Sequence, residues 1–254
     1  MEIISSVNND NVKRVASLSE KKFRRYYGTF LVEGPKLVQE IVYGAMELVA
    51  LYVESTHAVK YSDLIAKCEP NVYLLNKPAF EKISDTVTSQ GILAEVKMRP
   101  SVDFTLDNPI IVLDRVSDPG NLGTIIRTAA ATGFQTIVLI DCCDPYNPKT
   151  VRASAGGIFY TDFYQLSFEE FADKWKNLPV YLADMDGENI FTMKDVDSVY
   201  ALVIGNEGSG VSDQFDKMNK RTISLPMKSQ MESLNAGVSA SVLMYELKKN
   251  ELFS

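Results

Sequence analysis

The chain has 254 residues, 46% apolar and 23% charged, with 26 basic and 33 acidic side chains and a formal net charge of −7. Those proportions are those of a folded globular protein and exclude a disordered or fibrous one. No apolar run reaches the roughly 18–20 residues that span a bilayer, and the opening MEIISSVNND lacks the basic start and apolar stretch of a signal peptide, so a cytoplasmic protein without membrane contact is expected.

In chain order, residues 10–22 are predicted as a helix. Lys13, Arg14, Lys21, Lys22, Arg24 and Arg25 cluster in and just beyond it, opposed only by Glu20, with Phe23, Tyr26 and Tyr27 interleaved. Basic groups contact phosphates and rings stack on exposed bases, so the run is a candidate RNA footprint. The alternative is a solvated helix face. Residues 1–106 carry 13 Lys/Arg and 13 Asp/Glu, so the whole −7 lies in 107–254. An acidic chain also argues against tight nonspecific nucleic-acid binding, which depends on counterion release.

TFLVEG (29–34) reads as a strand, and Leu37, Val38, Ile41 and Val42 give the next segment helical spacing. LVALYV (48–53), NVYLL (71–75) and GILAEVK (91–97) read as strands, with helices at 60–69 and in KPAFEKIS (77–84). This alternation predicts a small α/β sandwich of about 95 residues. The polar, proline-bounded MRPSVDFTLDNP reads as a linker, giving domains 1–97 and 109–254 joined by 98–108. His57, the only histidine, sits in the polar STHAVK and reads as a solvated loop residue. One histidine excludes a Ser–His–Asp triad or a multi-histidine metal site elsewhere. Cys68, Cys142 and Cys143 show no CxxC spacing, so they read as free thiols, and neither disulfide nor metal is expected.

In the second half, strands are predicted at 110–114, 136–140, 180–184, 200–205 and 222–226, short and β-branched like parallel strands covered on both faces. A helix with Pro119 near its start, Asp118 as cap and Gly133 at its end follows the first. Ser167 and Glu170 form a capping box, and the last helix runs from about Ser233 to Lys249. Such βα alternation favours ligands at the carboxyl ends of the strands.

Three glycine-containing segments stand out. In DRVSDPGNLGTIIRTAAATGF (114–134), Gly123 and Arg127 share a helix face, and the isolated guanidinium suits a phosphate or developing oxyanion, or else a salt bridge to a neighbouring acid. VIGNEGSGVS (203–212) matches neither a Walker loop nor GxGxxG, and its Glu207 is a functional carboxylate or a helix-start charge. SLPMKSQMESLNAGVSASVLMYEL (224–247) pairs a strand-ending proline with a helix start of small residues, which permits close approach of another chain or of a planar ligand.

Together and in this order, these segments resemble the SpoU or TrmH-type RNA ribose 2′-O-methyltransferases of the SPOUT superfamily. The matching residues are NLGTIIR (121–127), GNEGSG (205–210), LPM (225–227) and SLN (233–235), and DPYNPKTVRASAGGIF (144–159) looks like the stretch joining the first two. The resemblance covers 107–249. The basic start followed by FLVEGPKLVQE is similar, more loosely, to the L30e-like RNA-binding domain that often precedes this catalytic domain. One departure is Ser229, after Lys228, where the family usually has glycine.

The resemblance implies an α/β fold whose parallel sheet ends in a C-terminal trefoil knot, preceded by a small L30e-like domain. It implies S-adenosyl-L-methionine held by backbone groups, with Gly205, Leu225, Met227, Leu234 and Ala183 at the cofactor. It implies a homodimer, for which Ala236, Val238, Ala240, Val242 and Leu243 of the last helix offer a surface; an ordinary core helix fits them equally. Arg127 would position the phosphate and stabilise the developing alkoxide, Asn121 and Glu207 would orient it, and Ser233 and Asn235 would complete the pocket. No metal is required. The expected substrate is ribosomal RNA of the 23S type; the alternatives are a tRNA ribose methyltransferase and a catalytically silent RNA-binding assembly factor.

Overall fold

The structure, a computed structural model, describes residues 3–100, 106–228 and 233–252. It divides into two compact units, Met1–Pro100 with Tyr146–Arg152, and Ser101–Pro145 with Ala153–Ser254. Residues 101–105 of the expected linker, and Ser229, lie outside the described residues.

The first unit is built on a five-stranded sheet in the order β1-β4-β3-β5-β2. Its strands are β1 (Ile3–Ile4), β2 (Thr29–Glu33), β3 (Leu48–Glu54), β4 (Val72–Leu75) and β5 (Ile92–Lys97). β1, β4 and β3 are parallel, whereas β5 runs antiparallel to both β3 and β2. The helices are α1 (Asp10–Ser17), α2 (Lys21–Tyr27), α3 (Pro35–Val42), α4 (Ser62–Cys68) and α5 (Lys77–Ile83). Val12 and Val15 of α1 and Ala79, Phe80 and Ile83 of α5 bury against Tyr52 and Leu93 of the sheet.

The expected helix over 10–22 is two helices. The chain leaves α1 at Leu18, and Glu20 is extended before α2 begins. The end of a helix leaves carbonyls without partners. Arg24, only 2% exposed, folds back to satisfy two carbonyls here, donating to Leu18 O and Ser19 O at 2.7 Å each. His57 also differs from the expectation of a solvated loop residue. It ends a short 3-10 turn, and its ring occupies the space where a Cβ on Gly91 would lie, 2.6 Å from His57 Nδ1.

The second unit carries a six-stranded sheet in the order β11-β9-β10-β6-β7-β8, parallel throughout. The strands are β6 (Ile110–Asp114), β7 (Thr136–Ile140), β8 (Asp162–Gln165), β9 (Val180–Asn189), β10 (Ala201–Ile204) and β11 (Lys220–Ser224). β6 and β10 are buried along their whole length, as β-branched central strands of a parallel sheet should be. Its helices are α6 (Pro119–Thr132), α8 (Phe168–Lys174) and α9 (Ala236–Leu252); α7 (Pro148–Ala153) falls almost wholly in the segment that belongs with the first unit. α8 starts at the expected capping box of Ser167 and Glu170. β9 outruns its expected end at 184 because Gly187 lets its polar continuation lie against the backbone of Ile223, past a register shift in β11. α9 returns from β11 to pack on α6, where Thr128 Oγ1 and Ser241 Oγ lie 2.8 Å apart.

From β6 the sheet grows through β7 and β8 to one side and through β10, β9 and β11 to the other. The carboxyl ends of β6 and β10 therefore flank a switch point, the place where open α/β sheets bind ligands.

Candidate active site at the carboxyl ends of β6 and β10

Two loops meet at this switch point. Residues 115–118 connect β6 to α6, and Asp118 caps the helix by accepting the Asn121 N–H at 2.8 Å. After β10 the chain turns back on itself, with Asn206 and Gly210 exchanging backbone hydrogen bonds of 3.0 Å. Asn206 Oδ1 accepts from Gly208 N and Ser209 N, the self-capping turn that asparagine favours. A Cβ on Gly205 would sit 2.2 Å from Gly210 C and Val211 N, so this fully buried position admits no side chain.

The loops are joined through Glu207. Its carboxylate accepts from Asn121 Nδ2 at 2.9 Å, Ser117 Oγ at 3.1 Å and Asp118 N at 3.2 Å. Asn121 Oδ1 in turn accepts from Asn235 Nδ2 at 2.8 Å, and Asn235 Oδ1 accepts from Val238 N in the first turn of α9. One residue from each of the three sequence segments thus lies on one hydrogen-bonded line. Partial burial pushes the Glu207 carboxyl up, but the bonds from Asn121 and the 117–118 backbone outweigh it and hold its pKa below the ordinary value. A charged Glu207 fixes Asn121 with its amide nitrogen toward the carboxylate and its oxygen toward Asn235.

Arg127 is exposed and, among the described residues, makes no ion pair or side-chain hydrogen bond. Among the described residues, then, it makes no salt bridge to a neighbouring acid. Its backbone is fixed closely: a Cβ on Gly157 would lie 2.8 Å from Arg127 Cα and 2.9 Å from Ile126 O. The turn at Gly157–Phe159 thereby packs against α6 at the base of the arginine.

A cavity of about 450 Å³, counting its open mouth, lies among the middle of β9, the end of β11 and the residues that lead into α9. Ala183, Leu225, Met227 and Leu234 line it, with Asp184, Met185, Ile223, Ser233, Ser239 and Leu243. Gly205 is not among the lining residues, and its part is closure of the 206–210 loop. Ser233 lines this cavity and is not joined to the Glu207–Asn121–Asn235 line in the bonds found here. Apolar walls with a few hydroxyls and one carboxylate suit a small ligand with an apolar body and a cationic or polar end.

Several site residues had no role assigned from sequence. Asp114, 2% exposed, accepts from Ser212 N at 2.7 Å and pairs with Arg115 at 3.1 Å. Arg115 Nη2 also donates to Gly210 O at 3.2 Å, and Arg115 O accepts from Asn206 Nδ2 at 2.9 Å. Arg115 has φ 59°, a left-handed conformation that costs a residue with a side chain about 1–2 kcal/mol. Asn206, in a Gly-Asn-Glu-Gly turn after a strand, was readable as a turn former. Arg115 carried no such signal. Cys143 lies near Glu207, and burial, then the charges of Glu207, Asp118 and Asp144, raise its thiol to about 11. Near pH 7 it is held as the neutral thiol.

In the first unit the six expected RNA-contacting cations separate. Arg24 is corrected outright: it is buried and spent on the carbonyls that end α1. Arg14 is tied to the buried Glu95 by two bonds of 2.7 Å. Lys13, Lys21, Lys22 and Arg25 are exposed, and so is Tyr26, at 79%. Among the described residues no group of three or more His, Cys, Asp or Glu could hold a metal ion, and no helix is long and apolar enough to cross a membrane.

Residues 108–245 match the model of the SpoU rRNA Methylase family. The chain belongs to this family. Residues 9–94 match the MRM3-like substrate binding domain, so the SpoU methylase region is preceded by a substrate-binding module. The chain is 32% identical over 251 residues to the 23S rRNA (guanosine(2553)-2′-O)-methyltransferase RlmP of Bacillus subtilis, covering 98% of this chain and 100% of that one. It is 27% identical to the 23S rRNA (adenosine(1067)-2′-O)-methyltransferase of Streptomyces laurentii, over 99% and 97% of the two chains. Among solved structures, the AdoMet-bound rRNA methyltransferase from Sinorhizobium meliloti superposes with a TM-score of 0.84 at 25% identity, covering 98% of each chain. The fold of this SpoU member is thus that of the SPOUT methyltransferases, and the cofactor of the family is S-adenosylmethionine.

Proposed function

We propose that this SpoU family member transfers a methyl group to the 2′-hydroxyl of a ribose in ribosomal RNA of the 23S type. The observation that carries this reading is the line Glu207–Asn121–Asn235, which unites the three segments at the start of α6, the helix that also carries Arg127, an exposed cation with no ion pair among the described residues. The cavity lined by Ala183, Leu225, Met227 and Leu234 fits the cofactor: its walls are apolar, and Asp184 offers a carboxylate to a cationic group. When bound there, S-adenosylmethionine supplies a methyl group activated by its sulfonium charge.

The protein's own task is the hydroxyl, whose proton must leave as the oxygen attacks. A guanidinium, with a pKa above about 12, is a poor base and a good partner for phosphate and for developing negative charge. Arg127 therefore holds the RNA backbone and stabilises the alkoxide as it forms. Glu207 orients Asn121, and Asn121 orients Asn235, which fixes the start of α9 beside the cavity. No metal takes part in this scheme.

Substrate RNA lies, in this reading, across the exposed Lys13, Lys21, Lys22 and Arg25 of the first unit. The functional form is a homodimer. On α9, Ala240 and Leu243 are buried within the chain, while Val238 and Tyr245 are 47% and 49% exposed and offer apolar surface to a second copy. The trefoil knot of the resemblance belongs to the same reading; α9 packs on α6 after the chain leaves β11. A cytoplasmic location is part of the same reading.

Arg127→Ala tests the assignment. It should lower methyl transfer to ribosomal RNA by about a hundredfold or more while leaving S-adenosylmethionine affinity unchanged. Turnover at the wild-type rate would remove Arg127 from the chemistry.

A further inference from the structure

Arg115 stands out because its backbone and its side chain make opposite demands. At φ 59° it occupies a conformation that glycine would adopt without strain. Strain of this kind persists where the surroundings fix it, and it clusters at functional sites. The surroundings here are specific. Nε and Nη2 of Arg115 grip both oxygens of the buried Asp114 carboxylate at 3.1–3.3 Å, and Nη2 reaches on to Gly210 O at 3.2 Å. Asp114 Oδ2 accepts the Ser212 N–H at 2.7 Å, and Arg115 O accepts Asn206 Nδ2 at 2.9 Å.

Both ends of the 206–212 loop are therefore fastened to residues 114 and 115, and Glu207 lies between the fastenings. We propose that Arg115 is a positioning residue: it braces the glycine loop against the end of β6 and so sets Glu207 in register with Asn121. This rests on the reading of Glu207 and Asn121 given above, but the brace itself does not. Lysine could keep the contact with Asp114. It lacks the planar fork that also reaches Gly210.

The test uses Arg115→Gly, which relieves the backbone, and Arg115→Lys, which keeps a charge. Two quantities are read on the full-length protein: methyl transfer to ribosomal RNA, and hydrogen exchange of the Gly208–Ser212 amides. For Arg115→Gly the brace predicts exchange at those amides faster by about tenfold, with helix α6 unaffected. It also predicts a kcat lower by about tenfold with the KM for RNA unchanged, because a displaced Glu207 costs alignment and not binding. Arg115→Lys should fall between glycine and wild type in both.

Unchanged exchange with lost turnover would overturn the brace, since Arg115 would then act on substrate directly. Faster exchange with full turnover would overturn its positioning role. If the wild type transferred no methyl group at all, the functional reading would fail, and the exchange result would still decide the brace. An Arg115→Gly protein that unfolds globally, with Arg115→Lys wild type in both readouts, would also overturn the proposal.

Discussion

Glu95 shows what a buried charge demands of its neighbours. It is fully buried on β5 and is met by both terminal nitrogens of Arg14 at 2.7 Å, Thr29 Oγ1 at 2.8 Å and Tyr52 OH at 3.2 Å. Burial raises its pKa, and the bonds from Arg14, Thr29 and Tyr52 outweigh this and hold the net value below the ordinary 4.5. A carboxyl depressed in the folded state adds stability above its unfolded pKa and loses it as pH falls through the folded one. That contribution is therefore full at pH 7 and fades below about pH 4.5. Glu95→Gln removes the charge and should cost about 1–3 kcal/mol at pH 7. Urea midpoints of the two proteins should converge as pH falls below about 4.5, because the unfolded chain then binds a proton at Glu95 that the folded chain resists. A constant gap across that range would show that Glu95 is not the titrating group. Sequence presented Arg14 as a surface cation, because nothing local shows that its partner lies 81 residues away.

Helix α6 was legible nearly to the residue, since its cap at Asp118, the following proline and the terminal Gly133 are all local signals. The break between α1 and α2 was not, because it depends on Arg24 turning back to carbonyls that a longer helix would have used. β1 and β8 escaped detection for a related reason: two and four residues at sheet edges carry too little pattern. What supports α6 from outside was equally hidden. Gly157, 30 residues after Arg127, touches its backbone through the turn at Gly157–Phe159. Gly157→Ala would place a methyl group 2.8 Å from Arg127 Cα and must separate the two elements. The expected cost is about 1–3 kcal/mol in stability, with kcat falling more than KM as Arg127 shifts. Thermal unfolding and steady-state kinetics on one preparation would measure both. A fully stable, fully active variant would show that the close approach at Arg127 is dispensable.

The alternation of strands and helices, the neutral first part and the acidic second part were visible in the chain as a whole. The Glu207–Asn121–Asn235 line was not, since its members are 86 and 114 residues apart and only the sheet order brings them together. The residues that line the cavity came from a resemblance, not from periodicity. Charge acts at this largest scale: a chain of net −7 must hold RNA with a local basic surface. Reversing Lys21, Lys22 and Arg25 to glutamate should raise the KM for RNA by about tenfold or more, weaken its salt dependence and leave cofactor affinity alone. Arg24 is left out because its replacement would unfold the α1–α2 turn instead. RNA binding unchanged by the reversal would leave these residues as a solvated face. The most direct measurement for the molecule as a whole supplies methyl-labelled S-adenosylmethionine with separate 23S and transfer RNA fractions that lack their own modifications. Label is expected in 23S RNA alone, recovered after alkali as a resistant 2′-O-methylated dinucleotide. Label confined to transfer RNA, or released with alkali-labile nucleotides, would contradict it.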